Sequence, residues 1–217
     1  AERYKVEAIG ITLSERQATE ANRRAALMGL EHRVRAEIRD YRDLAALGTF
    51  DAVASIGMFE HVGAANLVPY FEAARDALAP GGRFLNHGIA TNRPAPRTAG
   101  IRANSGFADR YVFPDGELVP VERAIEVARD LAGFELLDVG LLRPHYALTL
   151  QAWVSRLEAH WPEAVEAAGE EVARTWRLYM SAARVGFEQG DLDVAQLLLA
   201  RPLLDGVPAP RPLRPWW

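Results

Sequence analysis

Residues 50–56 read FDAVASI, an apolar run interrupted only by Asp51 and Ser55. A strand this apolar needs cover on both faces, which a sheet flanked by helices provides. The neighbouring segments fit that plan. Residues 6–11 (VEAIGI) predict a strand. Ser14 with Gln17 three residues on forms a capping-box pair that opens a helix. Ala18, Ala21, Ala25 and Met28 continue that helix at helical spacing, and Gly29 stops it. Val34, Ala36 and Ile38 alternate with charged residues, a second strand ending at Asp40. Residues 66–78 predict a helix with Leu67, Phe71, Ala74 and Leu78 on one face; Pro80-Gly81-Gly82 breaks it and leads into a strand over 83–87. This order predicts an α/β fold with a mostly parallel sheet and helices on both faces.

The second half is more helical. Residues 91–106 are rich in Pro, Gly, Arg, Asn and Thr and predict a loop, with 91–120 as a lid-like insertion. A helix over 121–132 and a strand over 134–142 resume the rhythm, and helices follow over 146–158 and 163–187 within a helical part spanning 146–188. Val165, Ala168, Val172, Trp176, Tyr179, Ala183 and Phe187 form one stripe, read as core contact. Residues 192–199 fit strand or helix by periodicity. One domain over 1–201 and a Pro-rich extended tail over 202–217, ending in Trp216-Trp217, complete the reading.

Composition narrows the function. At 49% hydrophobic the 217 residues are not a disordered chain, and without cysteine they carry no disulfide framework or thiolate chemistry. A net charge of −4 argues against nucleic acid as a partner. The five histidines (32, 61, 87, 145, 160) lack metal-ligand spacing, so no metal is expected. No G-x-G-x-x-G follows a strand, which disfavours a nicotinamide dehydrogenase.

Ligands of open α/β sheets bind beyond the carboxyl ends of the strands. Four segments qualify: Thr12-Leu13-Ser14, Asp40-Tyr41, residues 55–61 and His87-Gly88-Ile89. Acids at strand ends suit an adenosine pocket, where they accept from ribose hydroxyls and the adenine amino group. Glu60-His61, two ionisable residues directly after a buried strand, is the sharpest anomaly. Alone, Glu60 also reads as a helix N-terminal acid and His87 as a satisfied core histidine.

Residues 10–17 (GITLSERQ), 40–43 (DYRD), FD at 50–51 with SIGMFEHVG at 55–63, Pro80-Gly81-Gly82, and HYALTLQAW at 145–153 together resemble the cyclopropane-fatty-acid synthase family, which includes the mycolic acid cyclopropane synthases. The resemblance spans about residues 1–201, and residues 192–199 resemble the family's closing strand. It implies a class I, Rossmann-like methyltransferase fold using S-adenosylmethionine. Thr12, Leu13 and Gln17 match cofactor contacts, Asp40 and Tyr41 the segment along the adenine, and Ile56 and His61 residues beside the methionine and adenosyl parts. Glu60, His87 and Tyr146, with the backbone of Ile89, match the group that holds a bicarbonate ion.

The implied reaction is methyl transfer to the double bond of an unsaturated fatty acyl phospholipid, with bicarbonate as the base that closes a cyclopropane. A methyl-branched product, another small acceptor, or a non-catalytic domain are the alternatives. Phe107, Tyr111 and Phe113 are candidates for lining an acyl channel. Arg93, Arg97, Arg102 and Arg110 offer charge for peripheral membrane contact, and a cytoplasmic location, at the inner face of the membrane, and a homodimer are expected. The family's glycine-rich cofactor loop and the strand before it have no counterpart in these residues; Ala1 to Tyr4 resemble the end of the helix that follows the loop. The expectation is a partial methyltransferase domain whose sheet lacks its first, central strand, leaving two unpaired edges.

Overall fold

This computed structural model describes residues 1–92, 101–102, 106–114, 116–203 and 207–209. The expected alternation is present, with shifted ends. β1 (Ala8–Thr12) leads through α1 (Glu15–Leu27) to β2 (Val34–Ile38), and the two strands pair in parallel with Ala8 opposite Val34. Ser14 Oγ accepts the Gln17 N–H at 3.3 Å, so half of the capping box forms. The other half does not: Gln17 Oε1 accepts from the Thr12 hydroxyl at 2.7 Å, and Thr12 Oγ1 takes the Ser14 N–H at 3.1 Å. The strand end and the helix start are thereby tied into one unit.

β3 (Phe50–Ile56) coincides with the apolar run. It pairs in parallel with β4 (Leu78–Thr91), which lies antiparallel to β8 (Leu192–Ala200); β8 is antiparallel to β7 (Glu135–Leu141). The order β3-β4-β8-β7 is thus parallel at one end and antiparallel at the other. Residues 192–199 resolve as strand within β8, whose nine residues all pair with β4 and whose residues 195–200 pair with β7 as well.

α2 (Leu67–Asp76) ends before Leu78, which opens β4 instead of closing the helix. Nor does Pro80-Gly81-Gly82 stand between elements. It bulges inside β4, where the pairing jumps from Phe50–Leu78 to Ala52–Arg83. Gly81 makes that excursion at φ +80, and a Cβ on Gly82 would lie 2.8 Å from the Ala79 carbonyl oxygen. The helix expected over 121–132 is α4 (Val121–Glu126) followed by a π turn over Val127–Leu131. α5 (Arg143–Ala159) covers its expected position. The helix expected over 163–187 is two, α6 (Trp161–Ala168) and α7 (Glu170–Gln189), because Gly169 sits at φ +84 between them.

Core packing explains the layers. On one face of the larger sheet α2 and α4 bury an aromatic nest of Phe59, Tyr70, Phe71, Phe84 and Phe134, whose rings meet mostly at steep angles. On the other face Ala147 and Leu150 of α5 and Met180 and Phe187 of α7 pack on Val194. The stripe along α6 and α7 is core only at its C-terminal end: Phe187 is 1% exposed, whereas Val172 is 43% and Trp176 41% exposed.

β3 departs from its expected cover. Its residues alternate between exposed and half-buried, and Ile56 is 69% exposed. The reason is its position: among the described residues β3 pairs only with β4, and the β1–β2 pair forms a separate sheet. Between β4 and α4 along the chain, α3 (Phe107–Tyr111) and the short antiparallel pair β5 (Ile101–Arg102) and β6 (Glu117–Leu118) fall within the predicted insertion. Arg93, Arg97, the side chain of Arg102, and Trp216-Trp217 lie outside the described residues.

Candidate active site

Two cavities open at the carboxyl ends of the parallel strands. The larger, about 860 Å³, runs between β1 and β3 from Ile9 and Phe50 to the loops that follow the two strands. Thr12, Leu13, Gln17, Asp40, Tyr41, Ile56 and His61 all line it, so residues spread over 50 positions meet around one cavity. Asp40 caps the 3-10 turn Tyr41–Leu47 by accepting the Arg42 N–H at 2.9 Å, and its carboxylate also takes Arg42 Nε at 2.9 Å and Nη2 at 2.8 Å. The Arg42 side chain, and then its backbone N–H, hold the Asp40 carboxyl down at about 2. Oδ2 accepts only one of these bonds, so it keeps lone-pair capacity for another donor. Tyr41 sets its ring edge-on to Tyr70 at 5.6 Å, and burial raises its phenol.

The smaller cavity, about 490 Å³, lies under α3 and against α5 and α7. Glu60, Ile89 and Tyr146 line it, as do Phe113 and Tyr179. Gly57 and His61 line both cavities and form the wall between them. Glu60 stands in the 3-10 turn Phe59–His61 immediately after β3, so the strand end and one short turn aim it. Its Oε1 accepts the Ile89 N–H at 2.8 Å, whereas Oε2 is buried with no hydrogen-bond partner among the described residues. A buried carboxylate oxygen left unpaired is costly and marks a place for a donor from outside the chain.

Tyr146 is held against Phe187 at 4.9 Å and Trp153 at 6.0 Å between ring centroids. Burial, followed by the charge of Glu60, raises its phenol, so it stays a proton-bearing donor. Tyr179 is pushed up to about 12 by burial first, then by Tyr146 and Glu60. Phe113 bridges His61 at 5.6 Å and Tyr179 at 5.4 Å, an aromatic wall that composition alone did not reveal.

His87 departs from the group. It does not line the smaller cavity; its Nδ1 lies 3.1 Å from Gln196 Nε2 across the β4–β8 ladder. Ile89, two residues along on the same face of β4, does reach the cavity. Of the candidates for an acyl channel, Phe107 and Phe113 line the cavity, while Tyr111 is 49% exposed and lies against Phe107 and Arg110. Among the described residues no group of acidic and histidine side chains forms a metal site, and no helix is long and apolar enough to cross a membrane.

A helix-flanked sheet that is parallel where the cavities open and antiparallel at its β7–β8 end is the fold of class I methyltransferases. A mycolic acid cyclopropane synthase solved with SAH and CTAB superposes at TM-score 0.79 and 27% identity, covering 92% of this chain and 71% of that one. Residues 1–197 match the mycolic acid cyclopropane synthetase family, and the chain belongs to it. A probable fatty acid methyltransferase of Pseudomonas putida is 42% identical over 95% of this chain and 52% of its own length. The cyclopropane-fatty-acyl-phospholipid synthase of Escherichia coli strain K12 is 31% identical over 95% of this chain and 50% of its own. The chain thus spans about half the length of the curated relatives it matches.

Proposed function

We propose that this chain is the larger part of the catalytic domain of an S-adenosylmethionine-dependent fatty-acid methyltransferase, with the cofactor in the larger cavity and the acyl chain in the smaller. The observation that carries this reading is the unpaired Glu60 Oε2, buried beside a wall that the two cavities share. The family names and the SAH-bound neighbour support the same assignment.

The residues present fit the cofactor. Asp40 keeps acceptor capacity for ribose hydroxyls, Tyr41 offers a ring for the adenine, and Thr12 holds Gln17 at the rim. Ile56 and His61 mark the side nearest the acceptor. When bound, S-adenosylmethionine supplies an electrophilic methyl carbon on a sulfonium sulfur.

They also fit a small protonated oxyanion. Glu60 Oε2 accepts its hydroxyl proton, and Tyr146 donates to one of its oxygens. His87 lines neither cavity, and only its Nε2, the ring atom not engaged by Gln196, is free to reach another oxygen of the anion. Bicarbonate, when bound, supplies a base. Phe113 and Tyr179 exclude water and turn aromatic faces to positive charge developing on the acyl chain. Holding two poor reactants side by side supplies much of the rate.

In the specific form proposed, an unsaturated phospholipid acyl chain takes the methyl at its double bond and loses one of the new methyl protons, closing a cyclopropane. The Pseudomonas relative's name favours a second form without ring closure, in which loss of a chain proton leaves a methyl branch beside a double bond, or a hydride shift and loss of a methyl proton leave a methylene branch. Incubation with unsaturated phospholipid vesicles and cofactor bearing a trideuterated methyl separates these. Label in the acyl chain is expected. Two deuteriums on a ring carbon mean closure, two on an alkene carbon mean a methylene branch and three mean a methyl branch, while an unlabelled lipid defeats the assignment.

A further inference from the structure

Resting on that reading, we propose that Gln196 is a positioning residue for His87: its side-chain amide donates to Nδ1 and so keeps the imidazole proton on Nε2, the ring atom left to donate to the anion. Four observations support it. The 3.1 Å contact joins Gln196 Nε2 to His87 Nδ1. The two residues are direct cross-strand partners in the antiparallel β4–β8 ladder, so the backbones on both sides of the contact are fixed. On the far side of β8 the partner of Gln196 is Gly140, and the place a Cβ would occupy there lies 3.8 Å from Gln196 Oε1. The amide thus lies with its oxygen on the β7 side and its nitrogen on the His87 side. Finally, Ile89, two residues along β4 from His87, donates its N–H to Glu60 Oε1 in the turn after β3.

The chemistry requires this sense. A neutral imidazole carries one proton, and its site is set by the hydrogen bond at the other nitrogen. A primary amide nitrogen only donates, so the Nδ1 it meets must be the unprotonated acceptor. Were the ring to carry its proton on Nδ1, Nε2 would present a lone pair to an anion and repel it. A tautomer imposed by a neighbour is worth a large factor where the imidazole must donate in one direction.

The test is imidazole nitrogen NMR on the purified protein with ¹⁵N-labelled histidine, the His87 signals being assigned by their loss in H87N. Wild type is expected to show neutral His87 with Nε2 protonated and Nδ1 bare. Q196E offers a carboxylate acceptor and is expected to move the proton to Nδ1; Q196L removes the donor and is expected to give a mixture. A proton on Nδ1 in wild type, or one unchanged tautomer in both variants, overturns the inference. Added ¹³C-bicarbonate distinguishes this from failure of the functional reading: if the tautomers behave as stated but His87 shifts do not respond, the anion site falls while the positioning role stands. In the catalytically competent protein, Q196E is expected to lower kcat about tenfold to a hundredfold with KM little changed.

Discussion

Glu60 and Ile89 are joined by a single hydrogen bond, Ile89 N–H to Glu60 Oε1 at 2.8 Å, that leaves the second carboxylate oxygen buried and unpaired. The bond ties the turn after β3 to the C-terminal end of β4, where Glu60 lines the smaller cavity. Gly88 permits it: a Cβ there would lie 3.1 Å from Glu60 Oε2 and from Phe59. The first prediction follows from this geometry.

Glu60→Gln retains an oxygen for the Ile89 N–H but puts an amide N–H₂ where an acceptor is needed. Methyl transfer in the competent protein is expected to fall about 10²-fold or more, while the melting temperature changes little. Undiminished transfer of labelled methyl groups to vesicle lipids would remove Glu60 from the chemistry.

Arg42→Ala frees the Asp40 carboxylate. Carboxyl ¹³C titration should place Asp40 at about 2 in wild type and return it toward the ordinary carboxylate range in the variant. Because the folded value is depressed, the stabilisation exists above the unfolded value of about 3.9 and disappears as pH falls through about 2. The two proteins should differ in stability at neutral pH and converge in that acid window. The difference is modest, since the Arg42 side chain is 71% exposed.

Tyr179 works in the opposite pH direction. Its folded value of about 12 exceeds the unfolded value of about 10, so its neutral form favours the fold below pH 10. That contribution drains away as pH rises from 10 through about 12. Ultraviolet titration of Tyr179→Phe should lack one phenolate that ionises near the top of the wild-type curve, whereas an unchanged curve would contradict the buried placement.

Phe71 is 0% exposed and meets Phe59, Tyr70, Phe84 and Phe134 at centroid distances of 5.1–6.5 Å. Phe71→Ala leaves a cavity that the surrounding rings cannot close, and urea denaturation should show a loss of about 3–5 kcal/mol. A loss under about 1 kcal/mol would mean the nest repacks freely.

Local pattern was enough for much of the fold. β3 matches the apolar run residue for residue, and the Ser14 cap was legible because capping acts within a few positions, whereas α5 begins at Arg143, three residues before its expected start, with no side-chain cap to mark it. The lower half of α7 was misread as core for a related reason: helical periodicity shows which residues share a face, not what that face meets. Val172 and Trp176 share the stripe of Phe187 yet remain substantially exposed. Likewise Leu78 suits a helix face and a buried strand equally, and pairing with Phe50 decides for the strand.

The α/β alternation, the family's motif segments and the residue types at the strand ends were all legible in the chain, because each resides in neighbouring positions. Long-range packing brought seven dispersed side chains around one cavity, made Phe113 and Tyr179 lining of the other, and set His87 against Gln196, 109 positions away. It also decided that the apolar strand β3 would have a partner on one edge alone. Ladder register and burial arise from packing between distant segments, and no local spacing encodes which of them will meet.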